Sequence, residues 1–357
     1  MDNLIVENEI PDILIKWYNQ NKRELPWRNI NDPYKIWISE IILQQTRVIQ
    51  GMNYYLRFIE RFPSVKQLAE AEEDEVLKYW QGLGYYSRAR NLHKAAHQIM
   101  TQFDGNFPKD YSNVLTLSGV GIYTAAAICS FAYNEPYAVL DGNVYRVLSR
   151  LFGIETPIDS GAGKKEFQKI AGKLISIENP AEYNQAIMEF GALQCVPSSP
   201  NCENCPLISM CKAYEFQLVN VLPVKSKKTT VTHRYFNYIF IQYNETTFLQ
   251  KRTAKDVWQN LYEFPLIETD KLLTVRELFQ NDNFNSLFRD INEIDVLQIT
   301  NPMKHVLSHR VINTQFISVS ISGLNENFKN LIQLEKSEID KYPVSRLMEI
   351  FLENDMN

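Results

Sequence analysis

Long apolar runs are missing from this 357-residue chain. Nowhere does it approach the roughly 18 uninterrupted hydrophobic residues of a membrane helix, so no membrane partner is expected. The opening text, MDNLIVENEIPDI, lacks the basic start and apolar stretch of a signal or transit peptide. A soluble intracellular protein is the expectation. Repeats of 20–50 residues and low-complexity tracts are absent as well, which argues against a solenoid or a disordered tail. Cysteine is scarce, with five in all, yet four fall in the stretch CVPSSPNCENCPLISMC, at Cys195, Cys202, Cys205 and Cys211. Sulfurs meant to staple distant segments would be spread out, and a reducing compartment disfavours disulfides, so the cluster points to a metal site. Four thiolates suit a zinc ion and an iron–sulfur cluster equally well at this level. The fifth, Cys129 in TAAAICSFAY, reads as core filler.

Neither sign of charge dominates. The net charge of −5 and pI near 5.7 disfavour nucleic acid at face value. Acid is nevertheless missing from residues 76–103, which carry Lys78, Arg88, Arg90 and Lys94. A local basic face can coexist with an acidic total.

What is present divides in two. Up to about residue 215 the text is helical, with segments of 3.6 period broken by Gly, Pro and Asn. Asp32 and Pro33 in NDPYKIW mark a helix start as N-cap and first residue. NVLPVKSKKTTVTHR then changes character and reads as a linker over 216–231. Strand-like runs follow (RYFNYIFIQY, TTFLQKR, TQFISVSI), mixed with helical patterns around 274–289 and 337–352. The expectation is an all-α domain over 1–215 and an α+β domain over 232–357.

Two carboxylates stand in opposite local settings. Glu40 lies within Ile36, Trp37, Ile38, Ile41, Ile42 and Leu43, an apolar helical run, where desolvation should raise its pKa. Asp141 in AVLDGNVYRVLSRLF stands just before a helix, where backbone N–H groups and the helix end should lower its pKa. Such a split suits an acid and a charge stabiliser in glycosidic bond cleavage. Taken singly, Asp141 also reads as an ordinary N-cap and Glu40 as a paired interior glutamate. Two glycine turns add to this. LSGVGIY places Gly119 and Gly121 ahead of a helix, where free N–H groups suit a phosphate, although a plain helix connection has the same text. WQGLGYYSRAR puts Leu83, Tyr85 and Tyr86 at a turn beside Arg88 and Arg90, which suits insertion into a base stack or simple core packing.

These pieces occur in one order: SEIILQQT, GLGYYSRARNL, GVGIYTA, VLDGNVYRVLSRL and C-x6-C-x2-C-x5-C. That order resembles the helix-hairpin-helix DNA glycosylases with a terminal iron–sulfur loop, the endonuclease III-like superfamily. Within it the chain looks like the MutY family of adenine glycosylases over nearly its whole length. Tyr123 stands where bifunctional relatives carry a Schiff-base lysine. LPWR, VWQNLYEFP and HVLSHR are also MutY-like text. The second domain resembles Nudix hydrolases, yet its only candidate for their signature, TVRELFQND, lacks the paired glutamates that hold Mg²⁺.

The resemblance implies a fold, an activity and roles. The fold is a helix-hairpin-helix glycosylase domain with a [4Fe-4S] cluster on 195–211, followed by a Nudix-like recognition domain. The activity is monofunctional excision of adenine mispaired with 8-oxoguanine or guanine in double-stranded DNA, by a monomer in the bacterial cytosol and nucleoid. Glu40, Asp141, Tyr123 and Asn143 would be catalytic, and Cys195, Cys202, Cys205 and Cys211 would hold the cluster. Trp27, Arg28, Leu43 and Gln185 would line an adenine pocket. Gln45, Leu83, Tyr85, Arg88, Gly119 and Gly121 would contact DNA. Leu307, Ser308 and His309 would read 8-oxoguanine, with Leu307 in place of the family's usual Phe. Ser118 replaces a usual Pro, and VPSSPN between the first two cysteines lacks the basic residues that relatives often place there.

Overall fold

A computed structural model of the chain describes residues 2–226 and 230–355; of the expected linker, 227–229 lie outside the described residues. The first part is helical throughout. Its helices are α1 (Asp2–Asn21), α2 (Pro33–Leu43), α3 (Val48–Arg61), α4 (Val65–Glu70), α5 (Glu73–Trp80) and α6 (Ser87–Gln102). They continue with α7 (Tyr111–Leu115), α8 (Ile122–Tyr133), α9 (Gly142–Phe152), α10 (Gly161–Leu174), α11 (Pro180–Leu193) and α12 (Lys212–Glu215).

Local sequence accounts for several starts. Asp32 caps α2 by accepting from Tyr34 N and Lys35 N, with Pro33 first in the helix. Asp141 caps α9 by accepting from Val144 N, and Gly153 in the left-handed region ends it.

The chain gathers into two compact units. One is Met1–Glu70 with Asn91–Lys228, and the other is Ala71–Arg90 with Thr229–Asn357. Ala71–Arg90 thus packs with the later residues, although it lies within the run read as the all-α domain. Its ties are polar and specific: Lys251 and the Tyr262 hydroxyl both reach Asp74, at 2.7 and 2.6 Å, and Gln81 Nε2 donates to Glu349 at 2.6 Å.

In the first unit, α11 packs against α1, α8 and α9, and α2 against α3 and α8. The core at their centre includes Leu14, Ala127, Val147, Leu148, Phe167, Ala186 and Phe190. The apolar stripes of α9 and α11 are buried there, while α2 packs on α8.

The second unit is built on sheets. Strands β1 (Thr232–Gln242), β2 (Thr246–Lys251), β3 (Tyr262–Glu263) and β4 (Leu266–Thr269) precede helices α13 (Val275–Phe279) and α14 (Asp282–Leu287). Then come β5 (Ile294–Ile299), β6 (Met303–Val306), β7 (Arg310–Ile321), β8 (Ile332–Glu335) and α15 (Arg346–Asp355). One sheet runs β4-β1-β7-β5 with β6 also on β7, and β1 and β7 are parallel along their whole length. The other runs β3-β2-β8. Phe248, Phe284, Phe288 and Phe328 fill the core beside Ile239, Ile241, Ile317 and Val319. In TVRELFQND, Glu277 is engaged as the partner of Thr274 in a capping box at the start of α13, so this acid serves the helix end.

Candidate active site

α2 is apolar on almost every side, and Glu40 is carried into the interior with it at 6% exposure. The Tyr123 hydroxyl, from the first turn of α8, donates to Glu40 Oε2 at 2.7 Å. Burial pushes the Glu40 carboxyl up to about 7; the Tyr123 bond opposes the push and the negative charge of Asp141 adds to it. Burial also holds the Tyr123 phenol well above its ordinary value, so it remains a donor. Glu40 is therefore a carboxyl that can hold a proton near neutrality, as expected.

Asp141 departs from its expectation in one respect. Its carboxylate accepts from Val144 N at 2.8 Å and from Asn143 Nδ2 at 2.7 Å. Its pKa is nonetheless raised, not lowered, because burial outweighs those bonds and the charge of Arg146. Helix capping alone is local and legible; the tertiary packing that desolvates Asp141 is not. What still separates the two groups is bonding. Asp141 holds two N–H donors at a helix N-terminus, which favour its anion. Glu40 receives a phenol.

Behind Asp141 runs a buried polar chain that the sequence reading missed. Arg146 donates through Nη2 to Asn143 Oδ1 at 2.9 Å and to Gly191 O at 2.6 Å. Through Nε it donates to Cys195 O at 2.7 Å. One turn on, Arg150 grips the same loop, donating to Val196 O and Pro197 O at 2.8 and 2.9 Å, with Nη1 3.4 Å from Cys195 Sγ. Both arginines are buried. The i, i+4 spacing in VYRVLSRL was the available signal: two cations on one face of an otherwise apolar helix need buried acceptors.

The residues expected around adenine also lie in this unit. Trp27 is buried against Tyr55, with ring centroids 5.1 Å apart. Gln185 Oε1 accepts from the Tyr18 hydroxyl at 2.6 Å. Leu43 ends α2 and is half-buried. Arg28 is fixed by Glu189, Nη2 to Oε2 at 2.7 Å, and Arg23 takes the same carboxylate at 2.6 Å. Glu189 is a second omission. It stands in the apolar text AIMEFGAL much as Glu40 stands in its own helix, and that was its signal.

Gly119 and Gly121 form the turn into α8. Gly119 has φ of 76°, and a Cβ there would stand 2.7 Å from Asn91 Cβ, so both conformation and space require glycine. A Cβ at Gly121 would meet nothing within 4 Å; the backbone there is open to an approaching group. Gln45 is exposed just past α2 with φ of 57°, a left-handed backbone rare for a residue of its type.

In the second unit, Tyr85 shares that rarity, with φ of 48°, and is 46% exposed. Its hydroxyl is hydrogen-bonded to Ser308 Oγ. Leu83 is buried at 7% exposure. Arg88, expected at DNA, is turned inward: Nη2 donates to Gly84 O at 3.1 Å and the guanidinium lies over the Trp80 ring. Leu307, Ser308 and His309 form the turn between β6 and β7, closed by Leu307 N donating to Arg310 O at 2.8 Å. Ser308 and His309 are exposed.

The four clustered cysteines are half-buried and free of disulfides. Burial pushes Cys205 up to about 11, with Cys195, Cys211 and Cys202 adding to the effect, so the thiols are neighbours. Among the described residues no three His, Cys, Asp or Glu side chains are gathered as a single ion would require.

Comparison with known proteins gives this geometry a family. Residues 38–174 match the HhH-GPD superfamily of base excision DNA repair proteins, and residues 237–354 match the NUDIX domain. The chain is 36% identical over 314 residues to the adenine DNA glycosylase of Buchnera aphidicola subsp. Baizongia pistaciae, covering 87% of this chain and 86% of that one. The enzyme of the same name from Buchnera aphidicola subsp. Acyrthosiphon pisum is 32% identical, with 96% and 97% covered. The one from Homo sapiens is 39% identical, with 56% and 38% covered. Among solved structures, a thermostable thymine-DNA glycosylase superposes with a TM-score of 0.57 at 27% identity, covering 60% of this chain and all of that one. A non-covalent endonuclease III–DNA complex shares the fold at a TM-score of 0.51 and 24% identity, covering 58% and 95%. The chain belongs to the adenine DNA glycosylases of base excision repair: DNA-binding N-glycosyl hydrolases with a helical HhH-GPD domain followed by a Nudix domain.

Proposed function

We propose that the adenine this glycosylase removes is one mispaired with 8-oxoguanine, or with guanine, in duplex DNA, and that Glu40 and Asp141 carry the cleavage. The observation that carries this reading is Glu40, buried and hydrogen-bonded to Tyr123 at 2.7 Å, within electrostatic reach of a helix-capping Asp141. Adenine must leave the base stack to reach these groups, at a cost of a few kcal/mol. Protonated Glu40 gives its proton to adenine N7 and so makes the base a leaving group. Ionised Asp141, steadied by Asn143 and Val144, stabilises the positive charge that develops on the sugar. Glu40, now a base, activates the water that completes hydrolysis. Trp27, Arg28, Leu43 and Gln185 line the base site.

Gln45 and Tyr85 insert into the helix as adenine leaves, consistent with their strained exposed backbones. Leu83 joins them at the helix, the Arg88 guanidinium lies over the Tyr85 ring, and the backbone at Gly119 and Gly121 takes a phosphate. Ser308 and His309 read the opposing base by hydrogen bonds. Leu307 offers an aliphatic side chain there instead of a ring. The chain acts as a monomer on DNA in the bacterial cytosol.

Cys195, Cys202, Cys205 and Cys211 would hold a [4Fe-4S] cluster. The donor set fits: four free thiols, mutually close, backed by Arg150. A [4Fe-4S] cluster is held by four cysteine thiolates, the number this loop offers. When bound, the cluster supplies a structural clasp for 195–211; the bond cleavage belongs to Glu40 and Asp141.

Single-turnover excision tests the whole reading. Duplexes carrying adenine opposite 8-oxoguanine or guanine should release adenine, while a thymine glycol duplex should be untouched. Strand breakage should require alkali or heat, because Tyr123 supplies no amine for a Schiff base. Spontaneous breakage, or activity on thymine glycol alone, would overturn it.

A further inference from the structure

The loop 252–261, RTAKDVWQNL, touches none of the residues assigned to chemistry, yet it is held unusually firmly. Its neck closes on itself, with Arg252 N donating to Leu261 O at 2.9 Å and Asn260 N to Arg252 O at 2.7 Å. Two of its residues, Trp258 and Asn260, sit in the left-handed region with φ of 61° and 67°. Such backbones persist when surrounding contacts over-determine them.

Those contacts run in two directions. Toward the β6–β7 hairpin, Asp256 Oδ1 takes Arg310 Nη1 at 2.6 Å, and the Trp258 ring packs on His305 at 5.6 Å. Arg310 is the first residue of β7 and His305 lies on β6, so both strands bearing the turn 307–309 are gripped. Asp256 is anchored in turn by Arg234 Nη1 at 2.6 Å and Arg252 Nη2 at 3.3 Å. Toward Ala71–Arg90, Arg90 Nη1 donates to Gln259 O at 2.8 Å, and Asn260 Nδ2 donates to Glu73 Oε1 at 2.5 Å. That segment carries Tyr85, whose hydroxyl bonds Ser308 at the tip of the hairpin.

We propose that loop 252–261 positions the mispair reader, with Asp256 as its central positioning residue. By holding the hairpin at one end and Ala71–Arg90 at the other, it keeps Ser308 and Tyr85 in register, so recognition of the base opposite adenine depends on a carboxylate that touches no DNA. The inference rests on the reading that Ser308 and His309 recognise 8-oxoguanine. Asp256 is suited to the task because three guanidiniums from β1, β7 and its own loop converge on it. Removing its charge takes from Arg310 the acid that ties β7 to the loop, while Arg234 keeps Glu268 and Arg252 keeps Glu263.

The test uses the full-length chain and single-turnover excision of adenine opposite 8-oxoguanine and opposite guanine. Asp256→Asn should lower the preference for 8-oxoguanine about tenfold, the loss of one charged hydrogen bond, while the rate opposite guanine stays within about twofold. Asp256→Glu should restore most of the preference. Should Asp256→Asn fold poorly, Arg310→Gln cuts the ion pair to the hairpin and should lower the preference in the same sense. Equal losses opposite both bases would mean a merely structural role and overturn the inference. Ser308→Ala separates the two readings: if it abolishes the preference and Asp256→Asn and Arg310→Gln leave it intact, the positioning inference fails alone. If the unaltered chain has no preference, the 8-oxoguanine reading fails and takes the inference with it.

Discussion

Gly191 on α11 meets Asn143 on α9 so closely that a Cβ at 191 would stand 2.7 Å from Asn143 Cβ and 3.0 Å from its carbonyl oxygen. This glycine is required by space and not by turn conformation. It lets the backbone of α11 press on the residue that donates to Asp141, and its own carbonyl takes Arg146. Gly191→Ala should push Asn143 away at an overpacking cost of about 1–3 kcal/mol. The single-turnover rate should drop at least tenfold while DNA affinity holds within about twofold, since the lost interaction acts on the developing charge. Comparing the rate with a binding titration checks this; an unchanged rate would show that Asn143 does not steady Asp141.

The raised pKa of Glu40 gives a direction for pH. The acid form does the work, so the single-turnover rate should fall as pH rises through about 7. Tyr123→Phe removes the hydrogen bond that favours the anion, and should move that inflection to higher pH. Stability follows the same linkage. With the folded pKa above the ordinary 4.5, Glu40's contribution is fully present below that value and is lost as pH rises through about 7. Glu40→Gln should therefore gain on the unaltered chain by up to about 3 kcal/mol between pH 4 and pH 8, while losing excision. Chemical denaturation of both proteins at the two pH values measures the gain.

The cysteine loop makes a separable prediction. Purified without oxidants, the chain should be brown, with broad visible absorption and iron near four per chain. Cys202→Ser should lose iron and melt earlier. Where any folded fraction remains, its pH profile should keep the Glu40 inflection, because that inflection belongs to the buried Glu40 carboxyl and its Tyr123 partner on α2 and α8. A colourless, zinc-loaded protein of full activity would sink the cluster assignment.

How much of this was legible in the sequence follows the range of each interaction. The Asp32 and Asp141 caps, the apolar burial of Glu40 and the long strands β1, β2 and β7 are set by neighbours a few residues away, and pattern alone finds them. The short strands β3, β4 and β6 carry too few residues for alternation to register. Arg146 with Cys195, Glu189 with Arg23, and Arg90 with Gln259 join residues separated by 49, 166 and 169 positions. No local rule announces those partners. The upward shift of Asp141 and the inward turn of Arg88 were missed for the same reason, since both are effects of packing.

Glu189 supplies the sharpest stability test. Burial alone would raise its pKa, but the hydrogen bonds of Arg23 and Arg28 prevail and hold it at about 2. The sign is opposite to that of Glu40. The contribution is present above the ordinary 4.5 and is lost as pH falls through about 2. Glu189→Gln leaves two guanidiniums without their anion and should cost roughly 2–3 kcal/mol at pH 7, somewhat less than the full shift because Arg23 is partly exposed. The difference between variant and unaltered chain should shrink steadily as pH is lowered from 5 toward 2. Arg28, released from its anchor, should also bind adenine-containing DNA less well. A penalty that stays constant down to pH 2 would show that packing, and not the paired charge, is what Glu189 contributes.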